Sequence, residues 1–498
     1  MNMSYFERVT PEKVGISSLK VLEFLERCQK KGLQLHSIMF VRDSKVFAES
    51  WWRPYNKDSK HSMFSFTKSL TSTAIGFLVQ EGLLSLDEKI VDIFPEYLPM
   101  EVSENLAKVT VRDLLIMGGG HHTEPNCWGS ENWTKTWLSH PFEHEPGTYF
   151  VYNSSGTNML CAIIKKKSGL NMTEYLYPRL FEKIGMGFVP CSKTADGIDA
   201  GGGGSKLTTE QMALFIEFVM HKGNFNGEQL LSSEWFDAAL SKQIDTKHSN
   251  SIPDWYLGYG YQFWMCQPEG VVRADGAFGQ FGIMYPEKNT FFIIQGSSTN
   301  NFEVLQSVWD TFIGEFKDEE LPENKEANLI LNYVLKNNEI TPLESKRVYN
   351  SMKKYTKLRY KPISPVYGGA EGIISGFGLE AMVHGRELKE EIKNIYLEFI
   401  NNELILDVKS ENGKERITVS LESHFNSFTL NGKVYGAVGT WLSPDEFKFL
   451  IYCAETPNGN EVTLKFNENK LAVSSKSTYP EGGRSGRETK DMEFIKIK

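Results

Sequence analysis

A serine and a lysine three residues apart are the first side chains in this sequence that could do chemistry together. Ser65 and Lys68 open a nearly uncharged stretch in which apolar residues recur at helical spacing. Residues three apart are neighbours on a helix, so the hydroxyl and the amine would share one face. A serine hydroxyl is a weak nucleophile until a base takes its proton, and a lysine buried among apolar groups can be that base. The pair predicts a nucleophile that carries its own base.

The Ser-x-x-Lys pattern is common enough that its context must decide. It begins at Ser17, Ser65 and Ser351 in this chain. Ser17 lies in a polar stretch, and Ser351 lies in the lysine-rich run 346–357. Only Ser65 leads into a segment, residues 69–80, whose composition suits a helix inside a domain. From the tetrapeptide alone, Ser65 would be interpreted as an ordinary N-cap residue.

A set of motifs in a fixed order changes that interpretation. In chain order they are Ser65 with Lys68, the segment 111–115 with its following glycines, Pro146-Gly147-Thr148 followed by Tyr152-Asn153-Ser154, and Gly201-Gly202-Gly203-Gly204 before Leu207. Together they resemble the serine β-lactamase and penicillin-binding-protein superfamily, in particular its class C-like esterase and peptidase branch. The resemblance extends over residues 5–315, and it implies an α+β domain with an antiparallel sheet and a helical block.

The resemblance also implies roles for individual side chains. It assigns Ser65 as nucleophile, Lys68 as activating amine and Tyr152 as general acid/base. The third residue of the tyrosine motif is usually asparagine in this superfamily, whereas this chain has Ser154 there and Asn153 one place earlier. A serine hydroxyl can still bond the lysine or the substrate, although it lacks the paired donor and acceptor of an amide. The alternative for Tyr152 is a half-buried aromatic residue near a turn.

A third motif of the superfamily matches Ala274-Asp275-Gly276-Ala277. Penicillin-recognising members carry a cationic or imidazole side chain where this chain has Ala274, which argues against a dedicated β-lactamase. Gly276 would let substrate approach the strand closely. The N–H of Ala277 would pair with that of Ser65 as an oxyanion hole. Asp275 either points into the cleft, where it would favour an amine-bearing substrate, or caps the strand end.

A metal site is the main competing interpretation. His121, His122, Glu124 and Cys127 are residue types that suit zinc. They follow three glycines, however, and their spacing matches no helical or finger-type ligand pattern. We therefore predict no metal and no other cofactor.

Three further features border the predicted cleft. His140 and His144 are predicted on a surface loop at its mouth. The run 201–204 lacks the lysine of a phosphate-binding loop, so a close backbone approach beside the active site is predicted instead. The aromatic tract 255–264 alternates like a strand, and its rings would line a substrate pocket or pack in the core.

Composition excludes several classes of function. The chain has 498 residues, of which 40% are hydrophobic and 23% charged, as in an average soluble globular protein of two or more domains. A net charge of -9 makes nucleic acid an improbable partner. No segment approaches the ~20 apolar residues that cross a bilayer. The start, residues 1–8, lacks the apolar core of a signal peptide, so a cytoplasmic protein without membrane partners is predicted.

The order of predicted elements fits the α+β fold that the resemblance implies. Strand patterns occur near both ends of the first 316 residues, and helical patterns dominate between them. The strands are predicted at 37–41, 45–51, 260–266, 271–274 and 291–295, with a helix at 301–315. Strands from both ends can therefore share one sheet, with the helical block beside it and the active site where the two meet.

A second domain is predicted after the charged segment 317–323. A helix at 324–337 leads to short strands from about residue 360, and Asn-Gly pairs at Asn412, Asn431 and Asn458 are hairpin signals. The predicted limits are 1–316 for the β-lactamase-like domain, 317–359 for a linker and helical connection, and 360–498 for a small antiparallel all-β domain of lipocalin-like form. Its role is open between shaping the cleft and mediating assembly into a homo-oligomer.

The sequence thus favours a serine hydrolase that cleaves small-molecule esters, amides or peptides through an acyl-enzyme on Ser65. Two alternatives remain at this stage. One is a catalytically weak protein that binds a peptide or cell-wall fragment in the same cleft, which the unusual Ser154 and Ala274 would favour. The other is a metal-dependent hydrolase built on His121, His122 and Glu124.

Overall fold

The chain forms two compact units. The computed structural model describes residues 5–127, 129–344, 346–375, 390–478 and 492–498. The first unit comprises Met1–Ser50 with Ser62–Lys336, and the second comprises Trp51–His61 with Asn337–Lys498. The prediction that the chain has no signal peptide concerned residues 1–8. Of these, residues 1–4 lie outside the described residues.

The first unit is built on a seven-stranded sheet. Its strand order is β1-β3-β2-β11-β10-β9-β8, and the parallel pairing of β1 with β3 makes the sheet mixed. Every residue of β2, β10 and β11 is buried, as expected of central strands covered on both faces. The strands of this part of the chain are β1 Glu7–Arg8, β2 Leu35–Arg42, β3 Lys45–Trp51, β4 His61–Ser62, β5 Lys206–Leu207, β6 Asn224–Phe225, β7 Glu228–Gln229, β8 Trp264–Met265, β9 Val272–Gly276, β10 Gln280–Tyr285 and β11 Thr290–Gly296.

Helices cover both faces of this sheet. On one face Phe40 of β2 contacts the rings of Phe24 and Phe312. Ser37 points to the opposite face, where its hydroxyl accepts a hydrogen bond from Thr209. The helices are α1 Ser18–Lys30, α2 Thr67–Gln80, α3 Ile90–Ile93, α4 Val111–Leu115, α5 Trp133–Leu138, α6 Ser154–Ser168, α7 Met172–Leu176, α8 Thr209–Met220, α9 Ser233–Ala239, α10 Asn301–Phe312 and α11 Lys325–Asn337, with a π-helix at Tyr177–Phe181.

Helix α2 is the central element of the helical block. All its residues from Thr67 to Leu78 are buried, as the uncharged composition of this segment predicts. It packs against α6 and α7 rather than presenting a polar face to water. No helix in the described part of the chain has both the length and the apolar character needed to cross a membrane.

The second unit is an all-β barrel, as predicted. Its strand order is β15-β14-β13-β12-β21-β20-β19-β18-β17-β16, and a parallel pairing of Ser420 with Val438 connects β15 to β17. Asn431 and Gly432 both have positive φ, as a two-residue type I′ hairpin turn requires. The elements are α12 Tyr349–Lys354, β12 Leu358–Pro362, α13 Gly369–Ser375, β13 Ile392–Ile400, β14 Glu403–Ser410, β15 Lys414–Ser420, β16 Asn426–Leu430, β17 Lys433–Ser443, β18 Glu446–Cys453, β19 Gly459–Asn467, β20 Lys470–Ser477 and β21 Met492–Ile497.

Apolar side chains from the strands form the core of this unit. Trp441, Phe447 and Phe449 belong to this buried cluster, and α13 adds Ala370 and Ile373. Alternate residues of each strand contribute because successive side chains point to opposite faces. The lipocalin-like form of this domain stays a prediction.

An early segment of the chain, Trp51–His61, belongs to the second unit. Tyr55 is 2% exposed, and its hydroxyl donates to the carbonyl oxygen of Thr456 at 2.6 Å. The Tyr55 ring lies in an apolar cluster with Ile340 and Phe425. These partners are far away in sequence, so no local pattern could reveal the contact. The predicted limits 1–316, 317–359 and 360–498 follow the chain linearly and stay a prediction.

The Tyr55 contact predicts that this short segment stabilises the second unit. We expect Tyr55→Ala to lower the free energy of unfolding by about 3 kcal/mol, because a large buried ring and one hydrogen bond are lost. Differential scanning calorimetry measures the change. Tyr349→Ala is the control, since Tyr349 is 65% exposed. Equal effects of the two substitutions would contradict the prediction.

Candidate active site

Ser65 lies where a short 3-10 helix, Phe64–Phe66, leads directly into α2. Phe64 has a φ of 47°, which is a strained conformation for a bulky residue. Hydrogen bonds fix the backbone on its N-terminal side, because Met63 N–H donates to the carbonyl oxygen of Ser205 at 2.9 Å. Ser65 is therefore held half-buried at the start of a buried helix.

The side chain of Lys68 meets three hydrogen-bond acceptors. Its Nζ donates to the Ser65 Oγ at 2.9 Å, to the Ser154 Oγ at 3.1 Å and to the carbonyl oxygen of Gly202 at 2.5 Å. Three acceptors match the three N–H groups of an ammonium ion. The structure thus brings two other predicted site residues, Ser65 and Ser154, to the amine of Lys68.

The protonation of Lys68 is set mainly by burial. The side chain is 1% exposed, and the loss of hydration lowers its pKa to about 7. The negative charges of Glu124 and Asp275 act in the opposite direction. Near neutral pH the amine therefore exists in both charged and neutral forms.

The glycine run makes the close backbone approach that the sequence predicts. The Gly202 N–H donates to the Asn158 Oδ1 at 2.8 Å, which helps to hold the residue whose carbonyl oxygen accepts from Lys68. A Cβ at Gly202 would lie 2.7 Å from the carbonyl oxygen of Ser154, and one at Gly201 would lie 2.2 Å from the Cys161 Sγ. Only glycine lets this loop pack so closely against α6.

The tyrosine motif places its asparagine and its serine in different surroundings. Asn153 is the N-cap of α6, and its Oδ1 accepts from the Gly156 N–H at 2.6 Å. Ser154, one residue later, contacts Lys68 instead. Ser154, which stands where the superfamily usually has asparagine, therefore faces the Lys68 amine, and Asn153 caps α6.

Tyr152 lies directly against the serine and lysine pair. The Lys68 Nζ is 4.9 Å from the centroid of its ring, and the ring stacks on Trp264 with centroids 5.7 Å apart. Burial raises the pKa of Tyr152, and the charge of Asp275 raises it further. A hydrogen bond with Ser65 opposes these effects without cancelling them. The phenol stays protonated at neutral pH.

Asp275 forms an ion pair with a residue that the sequence analysis missed. Its Oδ2 accepts from the Arg273 Nε at 2.9 Å, and the Arg273 side chain is completely buried. The guanidinium lies over the ring of Trp255, 4.6 Å from its centroid. Burial raises the pKa of Asp275, and the Arg273 charge opposes that shift. Strand alternation could have indicated Arg273, because residues two apart in a strand lie on the same face as each other.

Gly276 allows a close approach within the protein, and its role toward substrate stays a prediction. A Cβ there would lie 2.3 Å from the carbonyl oxygen of Met63 and 3.2 Å from the Phe66 nitrogen. The missing side chain thus lets β9 pack against the segment that carries Ser65. Ala277 follows at once, and its carbonyl oxygen accepts from the Gln280 Nε2 at 3.2 Å.

A cavity of about 500 Å³ opens beside these groups. This volume lies in the usual range for small-molecule sites. It contains four of the predicted site residues, whereas Lys68, Ser154 and Gly276 do not line it. The lining residues are Ser65, His122, Tyr149, Phe150, Val151, Tyr152, His248, Ser249, Asn250, Trp255, Trp264, Asp275 and Ala277.

The aromatic tract 255–264 is not the strand that its alternation predicted. Gln262 has a φ of 66°, and only Trp264 enters a strand, the two-residue β8. The rings of the tract both line the pocket and pack in the core. Trp255 and Trp264 line the cavity, while Tyr259 is 1% exposed.

The candidate metal ligands have separate surroundings. The His121 Nδ1 lies 2.8 Å from the carbonyl oxygen of Pro141, and burial lowers the pKa of His121 to about 4. The His122 Nδ1 lies 3.0 Å from the His144 Nε2. Among residues 5–127 and the other described ranges, no three His, Cys, Asp or Glu side chains are arranged to hold a metal ion.

The remaining ligand candidates and loop histidines bond to the protein itself. The Glu124 carboxylate accepts from the Ser155 N–H at 3.1 Å, and Cys127 is buried. The His140 Nδ1 lies 2.9 Å from the carbonyl oxygen of Thr136. His144 stacks on Tyr149, a lining residue, but does not itself line the cavity, so its predicted place at the mouth stays a prediction.

Comparison with known proteins identifies the family. The beta-lactamase family model matches residues 23–307, more than half of the chain. The chain therefore belongs to the beta-lactamase family, which confirms the resemblance seen in the sequence motifs. The sheets of the structure confirm the predicted α+β domain followed by an all-β domain.

Individual relatives are distant. The 6-aminohexanoate-dimer hydrolase of Paenarthrobacter ureafaciens is 24% identical over 301 residues, which are 54% of this chain and 76% of that protein. An octameric penicillin-binding protein homologue from Pyrococcus abyssi is 16% identical, covering 96% of this chain and 99% of that one with a TM-score of 0.47. A penicillin-binding protein homologue from Caulobacter crescentus is 14% identical, covering 60% and 99% with a TM-score of 0.49.

Two adjacent glycines provide a matched test of the loop that holds Lys68. We expect Gly202→Ala to destabilise the protein by about 1–3 kcal/mol, because the new methyl group overlaps the backbone of Ser154. In Gly203→Ala the new Cβ would have no neighbour nearer than 3.6 Å, so stability should be unchanged. Thermal unfolding of both variants measures the difference. Equal midpoints would show that the close approach is not required.

Proposed function

We propose that the protein is a serine hydrolase that cleaves esters or small amides and peptides through an acyl-enzyme on Ser65. The observation that carries this proposal is the 2.9 Å contact between the Lys68 Nζ and the Ser65 Oγ, made by an amine whose pKa is about 7. Membership of the beta-lactamase family supports a hydrolytic reaction.

The contacts of Lys68 explain how the hydroxyl is activated. A neutral amine has two N–H groups and one lone pair. The carbonyl oxygen of Gly202 can only accept, so one N–H stays directed at it, and the second can donate to the Ser154 Oγ. The lone pair is then left for the proton of Ser65. In this proposal Ser154 helps to orient the amine.

Attack by Ser65 on a carbonyl creates an oxyanion that the N–H groups of Ser65 and Ala277 are proposed to bind. Ser65 lies at a helix start, where free N–H groups favour negative charge. Ala277 lines the same cavity and follows the end of β9. Donors held in place before the reaction need little rearrangement as the charge develops.

Tyr152 is the proposed acid for the leaving group. Its phenol is protonated at neutral pH and lies beside Ser65 and Lys68, so it can pass a proton to the departing alcohol or amine and recover one from Lys68. The resulting acyl ester on Ser65 is then attacked by water, with the same groups acting in reverse. Each proton that leaves Ser65 thereby ends on the leaving group.

The two alternative hypotheses have less support from the geometry. A protein that only binds peptides would not need an amine whose pKa burial has brought near neutrality. Ser154, the substitution that favoured this alternative, contacts Lys68 directly. For a metal-dependent hydrolase, the described residues provide no converging set of three ligands.

A change of the nucleophile tests the proposed function. The wild type should react once per chain with a fluorophosphonate and hydrolyse p-nitrophenyl butyrate, whereas Ser65→Ala should do neither, with kcat lower by about 10⁴-fold or more. Mass spectrometry and absorbance measure the two reactions. Ser249→Ala is the control, because Ser249 lines the same cavity without contacting Lys68. Labelling or turnover that persists in Ser65→Ala would refute the proposal.

The pH dependence of the reaction tests the role of Lys68. Only the neutral amine can accept a proton, so kcat/KM should rise with pH through about 7 and then level off. In Glu124→Gln a charge that raises the Lys68 pKa is removed, so the midpoint should move to lower pH. Initial rates between pH 5 and 9 provide both profiles. A midpoint that Glu124→Gln leaves in place would count against Lys68 as the base.

A further inference from the structure

One carboxylate lies in the lining of the cavity. Among the described residues that line it, Asp275 is the one carboxylate, and neither lysine nor arginine is present. Lys68 lies behind Ser65 and is not part of the lining. A carboxylate group on a ligand beside Asp275 would therefore meet like charge.

Aromatic rings surround this carboxylate. Five of the lining residues are aromatic: Tyr149, Phe150, Tyr152, Trp255 and Trp264. The faces of such rings attract cations, and tryptophan does so most strongly. The Arg273 guanidinium already lies against Trp255 and Trp264, so the Asp275 carboxylate is the group here that would favour an ammonium over a neutral or anionic group.

The partner of Asp275 holds its carboxylate in place without entering the cavity. The Arg273 Nε donates to Oδ2, and the guanidinium lies 4.6 Å from the Trp255 centroid and 5.8 Å from that of Trp264. No hydrogen bond joins Oδ1 to another protein group within the described ranges. A ligand cation could contact that oxygen directly, whereas Arg273 is fully buried.

We propose that Asp275 binds a primary ammonium group of the substrate and so selects amine-bearing amides or esters over neutral and carboxylate-bearing ones. This inference rests on the proposed function, because it concerns the substrate of the Ser65 site. Arg273 is a positioning residue in it, since it acts by orienting the carboxylate. Ala274, which supplies no cation for a substrate carboxylate, agrees with this selectivity.

Three matched anilides test the selectivity. The β-alanyl, butyryl and succinyl p-nitroanilides carry an ammonium, a methyl and a carboxylate group on acyl chains of similar length. At pH 8.5 the wild type should prefer the β-alanyl over the butyryl anilide by about tenfold or more in kcat/KM, and the succinyl anilide should be poorest. Asp275→Asn should reduce the first ratio to about one. Glu124→Gln removes the same charge outside the cavity lining and should keep the wild-type ratio.

A binding measurement separates this inference from the proposed function. Calorimetry should show that n-butylammonium binds the wild type and Ser65→Ala, that n-butanol binds more weakly, and that Asp275→Asn removes the difference. Fluorophosphonate labelling of Ser65 in Asp275→Asn shows that the fold and the nucleophile are intact. Loss of all hydrolysis with retained, Asp275-dependent ammonium binding would refute the proposed function alone. An unchanged preference for the cation in Asp275→Asn, in rate or in binding, would overturn the inference.

Discussion

Burial of the Lys68 amine is the constraint on which the rest of the site depends. An ammonium group can leave water only where each N–H finds an acceptor, and an unmet buried donor costs about 1–3 kcal/mol. Ser65, Ser154 and Gly202 provide those acceptors from three separate parts of the chain. The helix start before α2, the start of α6 and the glycine run must therefore converge. The same burial that demands these partners brings the pKa of Lys68 to about 7.

Where these backbone segments meet around Lys68, some positions have no room for a side chain. Added Cβ atoms at Gly201, Gly202 and Gly276 would all lie within 2.7 Å of other atoms, two of them backbone carbonyl oxygens. The strained φ of Phe64, next to Ser65, belongs to the same packing. At these glycines, backbone segments rather than long side chains bring the reactive groups together.

Local patterns in the sequence were sufficient for part of this arrangement. The spacing of Ser65 and Lys68 and the uncharged stretch after them predicted a buried helix, and Asn-Gly pairs predicted hairpins of the β domain. The carbonyl of Gly202 could not be predicted as an acceptor, because every residue carries the same backbone oxygen. The partner of Tyr55 is hundreds of residues away. The contact of Arg273 could have been predicted, because strand alternation places Arg273 on the same face as Asp275.

Reactivity and selectivity are linked through one electrostatic balance. A substrate ammonium beside Asp275 would add positive charge near Lys68 and disfavour protonation of that amine. The proposed base would then be most available when the preferred substrate is bound. A substrate carboxylate would do the reverse, because it would raise the pKa of Lys68 and hold the amine in its inactive charged form. With Ala274 providing no compensating cation, the cavity would disfavour anionic substrates both in binding and in the activation of Ser65.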